Sequence, residues 1–183
     1  MKKVVLLGDS IRLIGYGAKV EEMLRADGCE VWQSEDNCRF AKYTLRMIFD
    51  FKDQIEGADV IHWNNGLWDC TELFGDGTFT PVEDYVKEMT RIAKLLLATG
   101  AKVIFATTTP TNPEYEYTHT EQVRKFNAAL VPVLQDMGIE INDLFSAMEA
   151  HDVDGICEDM LHLNELGKEI CAKQVYEHIK KAL

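Results

Sequence analysis

The sequence contains no internal repeat, no low-complexity tract and no linker rich in proline, glycine and serine. Its 183 residues are enough to bury a substantial core, and no shift in composition divides them. No apolar stretch is long enough to cross a bilayer, and the apolar run at residues 4–7 is too short for the core of a signal peptide. These absences predict one folded domain over residues 1–183.

Positive charge is also scarce. Lys and Arg together number 19 against 31 Asp and Glu, which gives a formal net charge of -12. A surface of this average charge repels phosphate backbones and anionic lipid headgroups. We therefore expect no nucleic acid partner and no membrane partner, and a neutral or weakly charged small molecule is the better candidate ligand. The oligomeric state stays open.

Disulfide and metal-binding patterns are missing as well. The five cysteines are odd in number, widely scattered and include no CxxC pair, which is typical of reduced thiols in a cytoplasmic protein. Apart from His162, the histidines share no metal-ligand spacing with a cysteine or a carboxylate pair. We expect no metal ion and no cofactor.

The chain does show an alternation of short β-branched runs with longer helical periods, which predicts a parallel sheet covered by helices on both faces. The expected class is α/β, a three-layer α/β/α sandwich with a five-stranded parallel sheet. The predicted strands are residues 3–7, 29–33, 59–63, 101–106 and 139–141. The predicted helices are residues 17–26, 40–54, 80–99, 120–137 and 165–181, with Thr80 and Asn164 as N-caps.

Ligands of open parallel sheets bind beyond the carboxyl ends of the strands. Ser10 follows the first predicted strand, Asn64 and Asn65 follow the third, and Thr108 follows the fourth. The sequence therefore predicts that these side chains lie around one cleft. A nucleotide site is the least expected occupant, because the turn after the first strand lacks the glycines that cradle phosphate.

Ser10 is the candidate nucleophile. A serine at the turn after a strand projects its hydroxyl from the sheet edge, while nearby backbone N–H groups remain free to stabilise an oxyanion. Gly8-Asp9-Ser10 is also an ordinary turn or helix-cap sequence, and taken alone the tripeptide favours that structural interpretation.

Asp159 and His162 add the groups that Ser10 needs. A spacing of three residues in a tight turn lets a carboxylate orient the imidazole, whose far nitrogen then faces outward as a base. A lone DxxH is otherwise a turn cap beside an exposed histidine. The two patterns are specific only in combination.

In combination, these segments resemble the SGNH (GDSL-like) hydrolase family. Gly8-Asp9-Ser10 is similar to the family's first block, and residues 159–167 (DMLHLNELG) are similar to its last. The resemblance spans essentially the whole chain. It implies a flavodoxin-like fold and metal-independent ester hydrolysis, with Ser10 as nucleophile, His162 as general base and then acid, and Asp159 orienting His162.

The third block departs from the family's usual Gly-x-Asn-Asp, whose Asn donates to the oxyanion. Here residues 66–69 read GLWD, and Trp68 stands at the position of that Asn. Asn64 has the same strand parity as Trp68, so its amide is expected to face the same cleft. Residues 60–69 (VIHWNNGLWD) resemble a bacterial subgroup that has Asn at this earlier position. We expect Asn64 to be the oxyanion donor, with Asn65 second and turn formation as the alternative for both.

The second block normally offers a glycine N–H, and its best counterpart here, residues 36–39 (DNCR), has no glycine. The N–H of Cys38 or Arg39 is the expected substitute. The Arg39 side chain either binds an anionic part of the substrate or pairs with Asp36, and the ion pair is the safer interpretation. The candidate substrate-contacting residues are Asp9, Asn37, Cys38, Asn65, Trp68 and Thr108.

The resulting functional hypothesis is a serine esterase or acylhydrolase that cleaves small acyl esters through an acyl-enzyme, with acetyl as the first candidate acyl group and carbohydrates as candidate alcohols. The acetyl preference comes only from the short chain, which leaves no room for a lid domain. Trp63 and Trp68 are candidates for an apolar wall against the substrate. Two alternatives stay open: an acetyltransferase on the same fold, and a non-catalytic ligand-binding domain.

Overall fold

A computed structural model describes residues 1–183 and contains a five-stranded, all-parallel sheet. The strand order is β2-β1-β3-β4-β5. The strands are β1 (Lys3–Gly8), β2 (Glu30–Gln33), β3 (Val60–Asn64), β4 (Lys102–Ala106) and β5 (Glu140–Asn142). Each strand end falls within one residue of the prediction. The α/β sandwich is confirmed, because helices cover both faces of the sheet and strands β1 and β3 are buried throughout, apart from the first residue of β1.

The helices are α1 (Gly17–Ala26), α2 (Ala41–Asp50), α3 (Lys52–Ile55), α4 (Val82–Leu97), α5 (Thr120–Asp136), α6 (Leu144–Glu149) and α7 (Glu165–Ala182). Helices α1 and α7 pack together, and α2, α4 and α5 form a second layer. The helix expected over residues 40–54 is divided at Phe51, whose backbone leaves the helical region. No helix is both long and apolar enough to span a membrane.

Two helix starts test the capping predictions. Asn164 caps α7 as expected, since its side chain accepts a hydrogen bond from the Gly167 N–H at 3.1 Å. The prediction that Thr80 caps α4 is wrong. The hydroxyl of Thr80 instead donates to a carboxylate oxygen of Asp69 at 2.7 Å, and α4 begins after Pro81 without a side-chain cap.

A helical segment over Ile11–Tyr16, kinked at Gly15, follows Ser10 and was not predicted from the sequence. Within it, Arg12 is fully buried, which is costly for a charged group unless its donors are satisfied. Its guanidinium donates to the backbone oxygens of Gly8, Ser34 and Asp36 at 2.6–3.1 Å. Arg12 therefore ties the end of β1 to the loop that follows β2.

Candidate active site

Ser10 lies two residues beyond the end of β1, where Gly8 pairs in register with Asn64 of β3. A side chain at position 8 would collide with the Asn64 amide oxygen, so this close approach requires glycine. Only 8% of Ser10 is exposed, and its backbone N–H makes no hydrogen bond within the protein. The turn thus presents both a hydroxyl and a free N–H donor.

Asp159 and His162 occupy a tight turn before α7. One carboxylate oxygen of Asp159 accepts the backbone N–H groups of Leu161 and His162 at 3.0 and 2.9 Å. Met160, which follows Asp159, has φ +66°, in the left-handed region that a sharp turn requires. The chain from Asp159 to His162 therefore folds back on itself, and the second carboxylate oxygen of Asp159 remains available to the His162 imidazole.

The structure brings Ser10, His162 and Asp159 into one hydrogen-bonded chain. His162 Nδ1 lies 2.7 Å from Asp159 Oδ2, and His162 Nε2 lies 2.9 Å from Ser10 Oγ. Ser10 and His162 are 152 positions apart in sequence, so the approach of strand end and last loop is a tertiary contact. Both distances are within the range for nucleophile, base and orienting carboxylate.

The charge of Asp159 is stabilised by the same turn. Partial burial raises the pKa of Asp159, but the N–H groups of His162 and Leu161 and the His162 imidazole outweigh it and hold the pKa below its ordinary value. The backbone of the loop is fastened by the Cys157 N–H, which donates to the His162 carbonyl at 2.7 Å. Asp159 is therefore ionised at neutral pH and positioned to accept from the imidazole.

A cavity of about 380 Å³ opens beside Ser10 and His162. Its wall is mostly apolar, and of the candidates from the sequence it includes Ser10, His162, Asn37 and Trp68, which is 41% exposed. The lining residues that sequence reasoning missed are Leu67, Thr71, Leu73, Phe79, Tyr115 and Leu161. Four of them lie in the loop between β3 and α4, where apolar residues outside any predicted strand or helix are the available signal in the sequence. A larger depression beside α1 and β2 contains none of the three reactive groups.

The structure does not support the oxyanion role expected of Asn64. Asn64 is 2% exposed and does not line the cavity. Its Nδ2 donates to Asp9 Oδ1 at 2.8 Å, and its Oδ1 accepts from the Tyr16 hydroxyl at 2.9 Å. Asp9, expected at the substrate, is likewise fully buried beneath Ser10, and burial raises its pKa. Both residues support the turn that carries Ser10.

Asn65 and Thr108 are also joined to the scaffold and do not line the cavity, contrary to expectation. Asn65 Nδ2 donates to the Arg39 carbonyl at 2.8 Å, and its Oδ1 accepts from the indole N–H of Trp63 at 2.6 Å. Thr108 donates its hydroxyl to the Asn65 carbonyl at 3.1 Å. Trp63 is buried in the core, so it forms no wall for a substrate.

The N–H donors expected in the second block are also already used. The Cys38 N–H donates to the Gly8 carbonyl at 3.1 Å, and the Arg39 N–H donates to Asn37 Oδ1 at 2.8 Å. The Cys38 side chain is fully buried, and the Arg39 guanidinium lies over the Tyr43 ring and 3.9 Å from Asp36. The ion-pair interpretation of Arg39 is therefore the better one, and neither side chain lines the cavity.

No group of three or more His, Cys, Asp or Glu side chains has an arrangement that could hold a metal ion, and all five cysteines are free thiols. Nothing in the site thus supplies the donor set of a metal centre.

No protein-family model matches the chain. Among curated proteins it is similar to GDSL esterase/lipase WDL1 of rice (Oryza sativa subsp. japonica), with 29% identity over an alignment that covers 91% of this chain and 68% of that protein. It is also similar to GDSL esterase/lipase CPRD49 of Arabidopsis thaliana, with 29% identity over 59% of this chain and 48% of that protein.

Solved structures share the fold at lower sequence identity. The acetyl xylan esterase AlAXEase superposes with a TM-score of 0.82 at 19% identity, covering 97% of this chain and 99% of that one. A lipase/acylhydrolase from Enterococcus faecalis gives a TM-score of 0.82 at 20% identity, covering 99% and 96%. These similarities support the GDSL esterase/lipase family. They also support an ester hydrolase.

In residues 66–69, Gly66 is the residue that permits the observed backbone conformation. Its φ of +146° is one that side chains rarely adopt, and a Cβ there would collide with the Thr108 hydroxyl. The turn after β3 therefore passes close to the segment after β4. Sequence reasoning identified this turn but assigned its amides to the substrate, whereas the structure uses them to join neighbouring segments.

Proposed function

We propose that this chain is a metal-independent serine ester hydrolase. Ser10 is the nucleophile, His162 is the general base and then the general acid, and Asp159 orients His162. The observation that carries the proposal is the hydrogen-bonded chain from Asp159 through His162 to Ser10, which opens into an apolar cavity.

The proposed proton positions follow from the ionised state of Asp159. When Nδ1 of His162 carries the proton and donates to the ionised Asp159, Nε2 is left as the acceptor that faces Ser10. The Ser10 proton moves to Nε2 as Oγ attacks the ester carbonyl. Asp159 then faces an imidazolium, whose charge it stabilises without taking the proton.

The rest of the reaction follows from these positions. The tetrahedral intermediate collapses as the His162 imidazolium gives its proton to the leaving alcohol, and an acyl-Ser10 ester forms. Water then attacks this ester with His162 again as base, which releases the acid and restores Ser10. The free N–H of Ser10 is one donor for the oxyanion in both halves.

The proposed substrates are acyl esters of small molecules. Acetyl is the proposed acyl group, and structures of two neighbouring proteins, an acetyl xylan esterase and an acetyl-xylooligosaccharide esterase, favour it and a carbohydrate alcohol. We also propose that one side of the ester carries an apolar group larger than acetyl, because the cavity has a volume of about 380 Å³ and a mostly apolar wall.

We also propose that residues 64–69 are the third block of a bacterial subgroup, in which Asn64 and Gly66 maintain the fold of the site. The contacts of Asn64 with Asp9 and Tyr16, and the close approach at Gly66, support this interpretation.

The test compares Ser10→Ala with wild type in the hydrolysis of para-nitrophenyl acetate, butyrate and hexanoate and in labelling by a fluorophosphonate. We expect wild type to label and to hydrolyse at least one ester, and Ser10→Ala to do neither. Ser146→Ala is the matched control, because Ser146 is one of only three serines and its hydroxyl donates to Asp143, the N-cap of α6, outside the cavity. Absence of labelling and of hydrolysis in the wild type would refute the enzyme, and preferred transfer of the acyl group to an added sugar would identify a transferase.

A further inference from the structure

A side-chain donor for the oxyanion has to lie at the cavity with a free N–H. The two asparagines after β3 do not meet this requirement. Asn64 Nδ2 is bonded to Asp9 and Asn65 Nδ2 to the Arg39 carbonyl, and neither residue lines the cavity. The amides that the third block offers are therefore already used inside the scaffold.

Asn37 is the one amide side chain among the residues that line the cavity with Ser10 and His162. Its Oδ1 accepts the Arg39 N–H at 2.8 Å, which determines the orientation of the amide. Its Nδ2 makes no hydrogen bond with the protein. The free end of Asn37 is thus a pair of N–H donors at the cavity that holds the nucleophile.

Four contacts hold this loop in place. Cys38 is bonded to Gly8 in both directions, since its N–H donates to the Gly8 carbonyl and its Sγ accepts the Gly8 N–H at 3.2 Å. Arg12 donates to the Asp36 carbonyl, and Asn65 donates to the Arg39 carbonyl. Residue 37 is thereby fastened beside the end of β1, two residues before Ser10.

The backbone at Arg39 adds to this argument. Its φ of +50° lies in the left-handed region, which is unfavourable for a residue with a long side chain. That conformation turns the Arg39 N–H back onto Asn37 Oδ1 and its carbonyl onto Asn65 Nδ2. The loop accepts a strained residue at the point where Asn37 is oriented, which is typical of functional sites.

We propose that Asn37 is a catalytic residue of the ester hydrolase inferred above, and that its Nδ2 supplies the side-chain hydrogen bond to the oxyanion. As the Ser10 Oγ–carbon bond forms and its proton passes to His162, the carbonyl electron pair moves onto oxygen. The Ser10 N–H and Asn37 Nδ2 then donate to that oxygen. A residue of the second block, Asn37, thus supplies the side-chain donor that the family's third block usually supplies.

The experiment compares Asn37→Asp and Asn37→Ala with wild type. Asp keeps an oxygen for the Arg39 N–H and so keeps the turn, but it has no donor, and Ala has neither. Loss of an oxyanion donor typically lowers kcat by about 10²–10³-fold. We expect both variants to show this loss of kcat, with KM changed by no more than about threefold. The kcat is expressed per active site, counted by titration to completion with fluorophosphonate, so that misfolded protein is not counted.

A purely structural role gives a different pattern. If Asn37 serves only to form the turn, Asn37→Ala loses activity and Asn37→Asp retains it within about threefold, which would overturn the proposal. Asn112→Asp is the matched control, because Asn112 makes the same bond to the N–H two residues on and does not line the cavity. Retained activity in both Asn37 variants would also overturn it. Either result leaves the hydrolase itself standing as long as wild type is active and Ser10→Ala is not.

Discussion

The two halves of the candidate site are built in different ways. The acid–base loop, residues 156–164, is nearly self-contained, since Asp159 caps its own turn and the backbone of Cys157 bonds that of His162. The floor of the cleft is assembled from residues 8–10, 36–39 and 64–66, which meet only through tertiary hydrogen bonds. A local turn can be recognised from residue types at a given spacing, whereas an assembled floor cannot.

The difference also concerns how asparagine is used. Asn164, in the local loop, caps α7 as its position before a helix predicts. Asn64 and Asn65 lie where three segments meet, and there the need to satisfy buried polar groups determines the direction of each amide. The same residue type therefore has a predictable role in the loop and an unpredictable one in the floor.

The largest effect is expected in the acid–base loop. Asp159→Asn keeps an oxygen for the two backbone N–H groups but loses the charge that stabilises the imidazolium and holds its tautomer. We expect kcat to fall by about 10³–10⁴-fold, with little change in the thermal unfolding midpoint. Ester hydrolysis and a melting curve on the same sample check this. A full loss of folding would show that the loop is less self-contained than its contacts indicate.

In the cleft floor the expected effect is on stability. Asn64→Ala leaves the buried Tyr16 hydroxyl without an acceptor and removes one of the two hydrogen bonds to Asp9. We expect the free energy of unfolding to fall by about 1–3 kcal/mol and kcat by less than about tenfold. Urea denaturation measures the first, with Tyr16→Phe as the control that removes only the hydroxyl. A loss of kcat of about 10²-fold at unchanged stability would return the oxyanion role to Asn64.

The smallest effect concerns Asp69, which joins the floor to α2 by accepting the Ala41 N–H at 3.0 Å. Burial raises the pKa of Asp69 to about 6, against the hydrogen bonds from Thr80 and Ala41 that lower it. Because this pKa lies above the unfolded value, the contribution is favourable at low pH and is lost as pH rises through about 6. Between about pH 5 and pH 8 the loss is roughly 1 kcal/mol.

Asp69→Asn removes this titration. Its stability relative to wild type is therefore expected to improve by that amount from about pH 5 to about pH 8, as measured by urea denaturation at each pH. An unchanged difference between the two proteins would show that Asp69 is ionised throughout the range.

Strands were easier to predict than helix details. Every strand end lies within one residue of its prediction. The inner strands β1, β3 and β4 are almost entirely buried, which demands mostly apolar sequence, whereas the edge strands β2 and β5 are only partly buried and were located from short β-branched segments. Helix α6 was missed because it has only six residues, although Asp143 caps it with a bond to the Ser146 N–H at 3.1 Å. The cap predicted at Thr80 failed because a buried carboxylate, 11 residues away in sequence, competes for its hydroxyl.

Of the candidate site, the sequence led to Ser10, Asp159 and His162, which remain proposals for catalysis, and to Asn37 and Trp68 at the cavity. It did not predict which amide N–H is free, since that depends on Asp9 and the Arg39 carbonyl accepting hydrogen bonds from Asn64 and Asn65. Nor did it reveal Arg12, whose buried guanidinium holds the loop after β2 in place.

The sequence by itself determined the order of the five strands and of the five long helical segments, and the sharp turn from Asp159 to His162, because each depends on local residue type and spacing. Only the tertiary structure decided which groups meet. The 2.9 Å contact between Ser10 and His162, the burial of Asn64 against Asp9 and the exposure of the Asn37 amide all follow from how the sheet aligns its strand ends. Whether each buried polar group finds a hydrogen-bond partner depends on all the segments that meet there, so it cannot be deduced from any one segment.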